Sequence, residues 1–332
     1  MLKYDVLCVG SATVDNFLTI EEPLSKIKLG DKVIVTKIEK HSGGGATNAA
    51  AALAKLGLKV KVLTKLGRDH DAEFVNKELR DYKIKNICLH HSKKNTDNAT
   101  IISSLKERDR IIYVHKGASK DLTAEDFKRS KLNTRWIYLG SLMGSSFSVA
   151  NKLAEIVKEN KRIKLLFNPS LYLAAKGKDY LKKVLSVSEI IILNKEEAQA
   201  LLKTSSEDFP ALLKGLQKLG PKTIIITDGK RKLYAYQDDT LYFLTPPDVK
   251  IVHTAGAGDA FNAGFLAGII KRYPLADALC LGQANSSSVI QHLGTKNKLL
   301  TEVEAKRMMK RYQIKVTKKI FKNRFEKNVS RY

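Results

Sequence analysis

The chain has 332 residues, 43% of them hydrophobic, with 59 lysines and arginines against 34 aspartates and glutamates, a formal net charge of +25. That length gives ample room for a core in one large α/β domain or two ordinary ones, and no apolar run approaches the roughly 18 residues of a membrane helix. The first residues do not read as a signal peptide, and Cys8, Cys88 and Cys280 match neither a disulfide framework nor a metal spacing, so a cytoplasmic protein is expected.

In chain order, Tyr4–Val9 is a short apolar run ending at Gly10-Ser11 and predicts a buried strand. Asp15 follows where a loop at that strand's carboxyl end is expected, the edge at which open α/β sheets bind ligands; a turn or cap role is the alternative. Ile27–Lys40 holds a turn and then Val33, Val35 and Ile38 among polar residues, which predicts a strand covered on one face. Ser42–Gly57 sets three glycines before an alanine-rich helix that Gly57 ends. Val60–Leu66 predicts a further strand, and Asn98–His115 a hairpin turning at Glu107–Arg110. The two exposed-strand stretches predict either a small antiparallel sheet or two independent edge hairpins. Joined as one sheet, they would leave an outer face built from Val33, Val35 and Ile101 wet.

From there strands alternate with helices: Trp136–Leu139 then Val149–Val157, Lys164–Phe167 then Tyr180–Val187, Ile190–Leu193 then Glu196–Leu202. Alternation of this kind predicts a parallel sheet with helices on both faces. Asn194 closes one strand and Glu197 falls three residues on, the spacing of a helix-capping pair. Thr223–Thr227 is a buried strand running into Asp228-Gly229, with an alternating strand at Lys232–Tyr236 beyond. His253–Arg272 reads as a glycine turn, Gly256 and Gly258, feeding a buried helix with Asp259 in its first turn. Free N–H groups and the helix dipole favour an anion there. Asp259 either balances that dipole or serves as a base beside a phosphate cradle. Leu275–His292 and Thr301–Tyr312 predict two last helices, and Gln313–Tyr332 is a basic extension: a frayed tail, an added helix or a weak RNA-contacting arm.

Thr254-Ala255-Gly256-Ala257-Gly258-Asp259-Ala260-Phe261 resembles the C-terminal signature of the ribokinase (PfkB) family of sugar and nucleoside kinases, with His253 where that signature usually begins with Asp. Ser42–Gly57 resembles the family's N-terminal signature, about 210 residues earlier and in family order. The resemblance spans roughly residues 1–312 and implies a doubly wound, mostly parallel sheet flanked by helices, with a small antiparallel β lid from about residues 12–40 and 97–117. It implies an ATP-dependent phosphotransferase acting on a hydroxymethyl group, with Asp259 as general base and the backbone of Gly256, Ala257 and Gly258 as the anion hole. On the acceptor side it implies that Asp15 and Asn48 hold hydroxyls and that Gly43 and Gly44 hinge the lid. On the nucleotide side it implies Asn194, Thr227, Gly229 and Asn285, with Glu197 serving Mg²⁺ through water.

Homodimerisation lid to lid follows from the same resemblance. His253 in place of Asp removes a carboxylate from the family's monovalent-cation site, and since alkali cations prefer oxygen ligands, either the site survives on backbone carbonyls alone with weaker affinity or His253 takes over its task. The imidazole would either gain a proton beside bound phosphates or simply pack. A catalytically silent family member that binds or scaffolds, with RNA contacted through the basic tail, is the alternative function. The presence of Asp259, Asn194 and Glu197 argues against it. A dinucleotide enzyme is excluded because the first strand lacks Gly-x-Gly-x-x-Gly.

Overall fold

Alternation along the central strands decides the layers. The structure, a computed structural model, describes residues 3–107 and 109–320. In β1 (Tyr4–Val9), Val6 and Cys8 face one apolar cluster, and Leu7 and Val9 face a second on the opposite side of the sheet. Helices cover both. α1 (Gly45–Lys55), α2 (His70–Asp81), α8 (Ala257–Ile270), α9 (Leu275–Val289) and α10 (Glu302–Arg311) pack on the first face. α3 (Phe147–Glu159), α4 (Leu171–Ala174), α5 (Lys178–Leu185), α6 (Lys195–Leu202) and α7 (Phe209–Gln217) pack on the second.

The other strands are β2 (Thr13–Ile20), β3 (Val35–Gly43), β4 (Val60–Leu63), β5 (Lys85–Asn86), β6 (Asp97–Ser104), β7 (Arg110–His115) and β8 (Thr134–Leu139). After them come β9 (Lys164–Phe167), β10 (Ile190–Asn194), β11 (Thr223–Thr227), β12 (Leu233–Gln237), β13 (Thr240–Leu244) and β14 (Thr317–Ile320). The main sheet runs β14-β13-β12-β11-β10-β9-β8-β1-β4-β5, parallel from β5 through β11 and antiparallel beyond. The chain builds outward from β1 to β4 and β5, then returns to lay β8 on the other flank of β1. Strand order therefore reverses at β1 and β8, and a crevice opens there at the strands' carboxyl ends.

The second sheet, β3-β2-β6-β7, is the small sheet expected as a lid. Its two outer pairs are antiparallel and its central pair, β2 with β6, is parallel, because both strands leave the main sheet in the same direction. Asp15 lies within β2 rather than in a loop, since β1 is followed almost at once by a lid strand. Val33 precedes β3, and Ile101 is only 5% exposed, packed with Phe17 and Ala99 on the inner face, so neither forms the wet outer surface expected of them. The exposed apolar residues are instead Ile38 on β3 and Ile111, Ile112, Tyr113 and Val114 on the edge strand β7.

The basic extension is not wholly a tail. Ile314 is buried in the core, and Thr317–Ile320 pairs with β13 to give the main sheet an edge strand. Exposed Lys318 and Lys319 on that edge discourage further pairing. Of the charges expected to make an RNA-contacting arm, Lys322, Arg324, Lys327 and Arg331 lie outside the described residues. Small residues set the tightest packing in the core: a Cβ on Gly264 would stand 2.8 Å from the Gly282 backbone, so α8 and α9 meet nearly backbone to backbone.

Candidate active site

Two glycine-capped helices start at the crevice. α1 is capped by Gly44 at φ +96°, where a side chain would also press within 2.5 Å of the Ser11 carbonyl. α8 is capped by Gly256 at φ +80°, where a Cβ would lie 2.5 Å from the Thr295 carbonyl. Close approach on both sides brings the first turns of the two helices together. Asn48 of α1 thus donates from Nδ2 to Asp259 Oδ2 of α8 at 2.8 Å. The Tyr138 hydroxyl, from β8, lies 3.4 Å from the other carboxylate oxygen. Burial lifts the Asp259 carboxyl to about 6, against the opposing pull of Asn48, Tyr138 and the Lys296 charge. A carboxylate so placed is largely ionised at neutral pH yet basic enough to take a proton.

Its neighbours are themselves held. Thr295 Oγ1 donates to Asn48 Oδ1 at 2.9 Å, and Asn262 Nδ2 donates to the Tyr138 oxygen at 3.2 Å. Asn168 Oδ1 lies 3.3 Å from that same phenol. On the lid side, Asp15 accepts from the Thr13 hydroxyl at 3.2 Å. Gly43 lies against it: a Cβ there would stand 2.2 Å from Asp15 Oδ2, so a side chain would displace the carboxylate. Burial raises the Asp15 pKa, opposed by Thr13 and by the charges of Lys296, Lys116 and His41.

The glycine turn expected to form the anion hole departs in one detail from expectation. Ala257 N–H donates to the Thr254 carbonyl at 3.3 Å and Ala255 N–H to His253 Nδ1 at 3.3 Å, so these amides are already engaged in the turn. Among the described residues no partner faces the N–H groups of Gly256, Gly258 and Asp259. Nothing lies within 4 Å of where a Gly258 Cβ would stand, so this turn opens on free space beside the Asp259 carboxylate.

Asn194 and Glu197 form a capping box at the start of α6: Glu197 N–H donates to Asn194 Oδ1 at 2.8 Å and Asn194 N–H to Glu197 Oε2 at 2.9 Å. Burial pushes Glu197 up to about 7, with Glu196 and Asp259 adding to the rise against the Asn194 N–H. Thr227 pairs with Asn194 in register at the ends of β11 and β10, and Gly229, at φ +54°, turns the chain into antiparallel β12 with open space around it. Asn285 is a different matter. It is 0% exposed, donates to the Ala260 carbonyl at 3.1 Å and accepts from Leu300 N–H at 3.1 Å. Its amide pins α9 to α8 and to the strap before α10, which sets its side chain in the packing between these elements.

His253 packs. Its ring meets Phe17 of the lid edge-on at 5.3 Å, and burial lowers its pKa, with the Arg110 and His41 charges adding. The expectation that it carries a proton toward the anion hole is therefore not supported. Among the described residues no group of three or more His, Cys, Asp or Glu side chains could hold a metal. A single carboxylate such as Glu197, with one oxygen outside its capping contact, nevertheless fits Mg²⁺, which keeps most of its waters.

Sequence reasoning missed Tyr138, Asn168, Asn262, Thr295 and Lys296. Tyr138 carried one signal: a tyrosine in an apolar buried strand needs a partner for its hydroxyl. Thr295 and Lys296 carried none, since only the loop after α9 brings them to the lid.

The geometry agrees with what comparison finds. The model of the pfkB family carbohydrate kinases matches residues 3–302. A ribokinase of Staphylococcus aureus is 29% identical over 306 residues, covering 87% of this chain and 94% of that protein. Among solved structures, the nucleoside kinase of Methanocaldococcus jannaschii superposes with a TM-score of 0.77 at 22% identity, over 93% of this chain and 98% of that one. The ribokinase of Arabidopsis thaliana, complexed with ribose and ATP, gives 0.79 at 20% identity, over 92% and 99%. A family model spanning nearly the whole described chain, and relatives covered almost end to end, leave one conclusion: the chain belongs to the pfkB family of carbohydrate kinases.

Proposed function

We propose that this protein transfers the γ-phosphoryl group of ATP to a hydroxymethyl group of a sugar or nucleoside, with Asp259 as general base. The observation that carries the reading is a buried carboxyl lifted to about 6, beside a glycine turn whose Gly256 and Gly258 N–H groups are open. Asp15 and Asn48 hold acceptor hydroxyls, and Asn48 also fixes the orientation of Asp259. As the acceptor oxygen bonds to the γ-phosphorus, its proton passes to Asp259 and the bond to the β–γ bridging oxygen breaks, leaving ADP. The open amides meet the charge on the transferring group; losing such a donor typically costs about 3 kcal/mol of barrier. Thr227 and Gly229 line the nucleotide side, next to the Asn194 cap. Glu197 would hold Mg²⁺ through water, and the bound ion would neutralise phosphate charge. The names and ligands of the relatives, ribokinase, nucleoside kinase and a ribokinase complexed with ribose and ATP, support this acceptor class.

A second copy of the chain covers the exposed residues of β7, giving a homodimer. No potassium activation is expected, because an imidazole packed on Phe17 offers a hard cation nothing; strong potassium stimulation of the wild type would overturn this. A screen of sugars and nucleosides with ATP tests the main proposal. Formation of ADP and a phosphorylated acceptor is expected, and no product from any member of either class would refute it.

A further inference from the structure

The Tyr138 hydroxyl has more partners than it can serve at once. Its side chain, on β8, is wholly buried, and burial holds the phenol well above its ordinary pKa, so it stays protonated at neutral pH. A phenol has one hydrogen to donate and lone pairs with which to accept. Asn262 Nδ2, one turn along α8 from Asp259, donates to it at 3.2 Å. Two acceptors then compete for the single hydrogen: Asn168 Oδ1, just after β9, at 3.3 Å and Asp259 Oδ1 at 3.4 Å. Asn168 keeps its oxygen turned to the phenol, because its Nδ2 donates to the Ile192 carbonyl at 2.8 Å and a flipped amide would set two acceptors face to face. The two asparagines would by themselves satisfy a buried tyrosine, so the carboxylate beside it calls for another reason. The other oxygen of that carboxylate is settled: Asn48 Nδ2 donates to Oδ2 at 2.8 Å, and Thr295 holds the far end of the Asn48 amide.

We propose that Tyr138 is a positioning residue of this active site: its one hydrogen turns to Asp259 while that carboxylate is charged, and to Asn168 once the carboxylate has taken the acceptor's proton. The inference rests on reading Asp259 as the base. Both distances are long for an O–H···O bond and nearly equal, so neither acceptor holds the hydrogen tightly. An ionised acceptor makes the stronger bond, so before the reaction the phenol points at Oδ1 and keeps that oxygen aimed. When the acceptor's proton reaches Oδ1, the negative charge there is lost. The phenolic hydrogen then rotates about its C–O bond to Asn168, and no proton leaves the phenol. Asn48 has no such choice, since its amide donates to Oδ2 in either state. Among the described residues Asn48 and Tyr138 alone hydrogen-bond the carboxylate oxygens. The titratable groups nearby act on it only through their fields: Cys8 of β1, held neutral by burial, Glu197 of α6, and Lys296 in the loop after α9.

The test is the pH dependence of kcat/KM at saturating ATP, for the fastest acceptor in the sugar and nucleoside screen, in the wild type, Tyr138→Phe, Asn168→Leu and Asp259→Asn. Tyr138→Phe takes a donor from the charged carboxylate, which favours its protonated form, so the acid limb is expected to move up by about half a pH unit or more. Asn168→Leu takes away the place to which the hydrogen retreats. That disfavours the protonated form, and the limb is expected to move down by about as much. Opposite shifts are the signature of the switch; an unmoved limb in either variant, or two shifts of the same sign, overturns it. A merely structural role would lower the plateau and leave both limbs in place. Should Tyr138→Phe fail to fold, Asn168→Leu decides alone, and a limb that does not move down is again fatal. Asp259→Asn separates the two readings. If it keeps the wild-type rate, the base assignment falls and takes this inference with it. If it is inactive while the limb stays fixed in Tyr138→Phe, only the role of Tyr138 fails.

Discussion

Replacing Asp259 by Asn removes the proton acceptor while keeping the shape. The side-chain oxygen of Asn still accepts from Asn48 Nδ2, so the contact between α1 and α8 survives. With the wild-type carboxyl at about 6, roughly nine-tenths is ionised at pH 7 and roughly a tenth at pH 5, so kcat/KM should fall tenfold per unit below pH 6. The variant should lose at least about a hundredfold in kcat, or ~2.7 kcal/mol of barrier, and lose that acid limb, with ATP affinity little changed. Stability should move the other way. The folded pKa is raised by about two units over the unfolded value, so the wild type loses stability as pH rises from about 4 through 6, by roughly 3 kcal/mol at most. Asn carries no such cost, and the variant should melt at or above the wild-type temperature at pH 7. Stopped-rate ADP release across pH 5 to 8, with thermal melts at pH 4.5 and 7, measures both. Near-native turnover would refute the base assignment; a variant less stable than wild type at pH 7 would refute the account of a destabilised buried carboxylate.

Gly43→Ala should displace the Asp15 carboxylate, raising the acceptor KM at least about tenfold with the ATP KM unchanged, and equal effects on both substrates would contradict the placing of Asp15 on the acceptor side. Gly256→Ala places a side chain at φ +80° and 2.5 Å from the Thr295 carbonyl; a strain of about 1–2 kcal/mol and at least a tenfold loss of kcat are expected, read from melting and turnover. Light scattering at micromolar concentration should give twice the monomer mass, and Ile112→Lys on β7 should return it to the monomer; a monomeric wild type would contradict the proposed dimer.

The elements of the main body were legible because each is a local matter. Short apolar runs gave β1 and β8 to β11, and glycines before apolar runs gave the starts of α1 and α8. Asn194 and Glu197 announced a capping pair by their spacing alone, and the structure forms that pair. Asp259 was legible as the candidate base, since a carboxylate in the first turn after two glycines is a pattern within one segment. What chain order concealed was every contact made across it. Asp15 read as a loop residue because nothing local to Thr13–Ile20 reveals that β6, some 80 residues on, will pair with it. Asn285 was placed on the nucleotide side by the family resemblance, and only the folded chain shows that its amide bonds Ala260 and Leu300. Tyr138 reaches Asp259 across 121 residues, and Thr295 reaches Asn48 across 247. Sequence determines the backbone conformation of each segment through steric and hydrophobic preferences that act over a few residues. The ionisation of Asp259 depends instead on how much water is excluded and which charges stand nearby, and those are set only when distant segments close on one another.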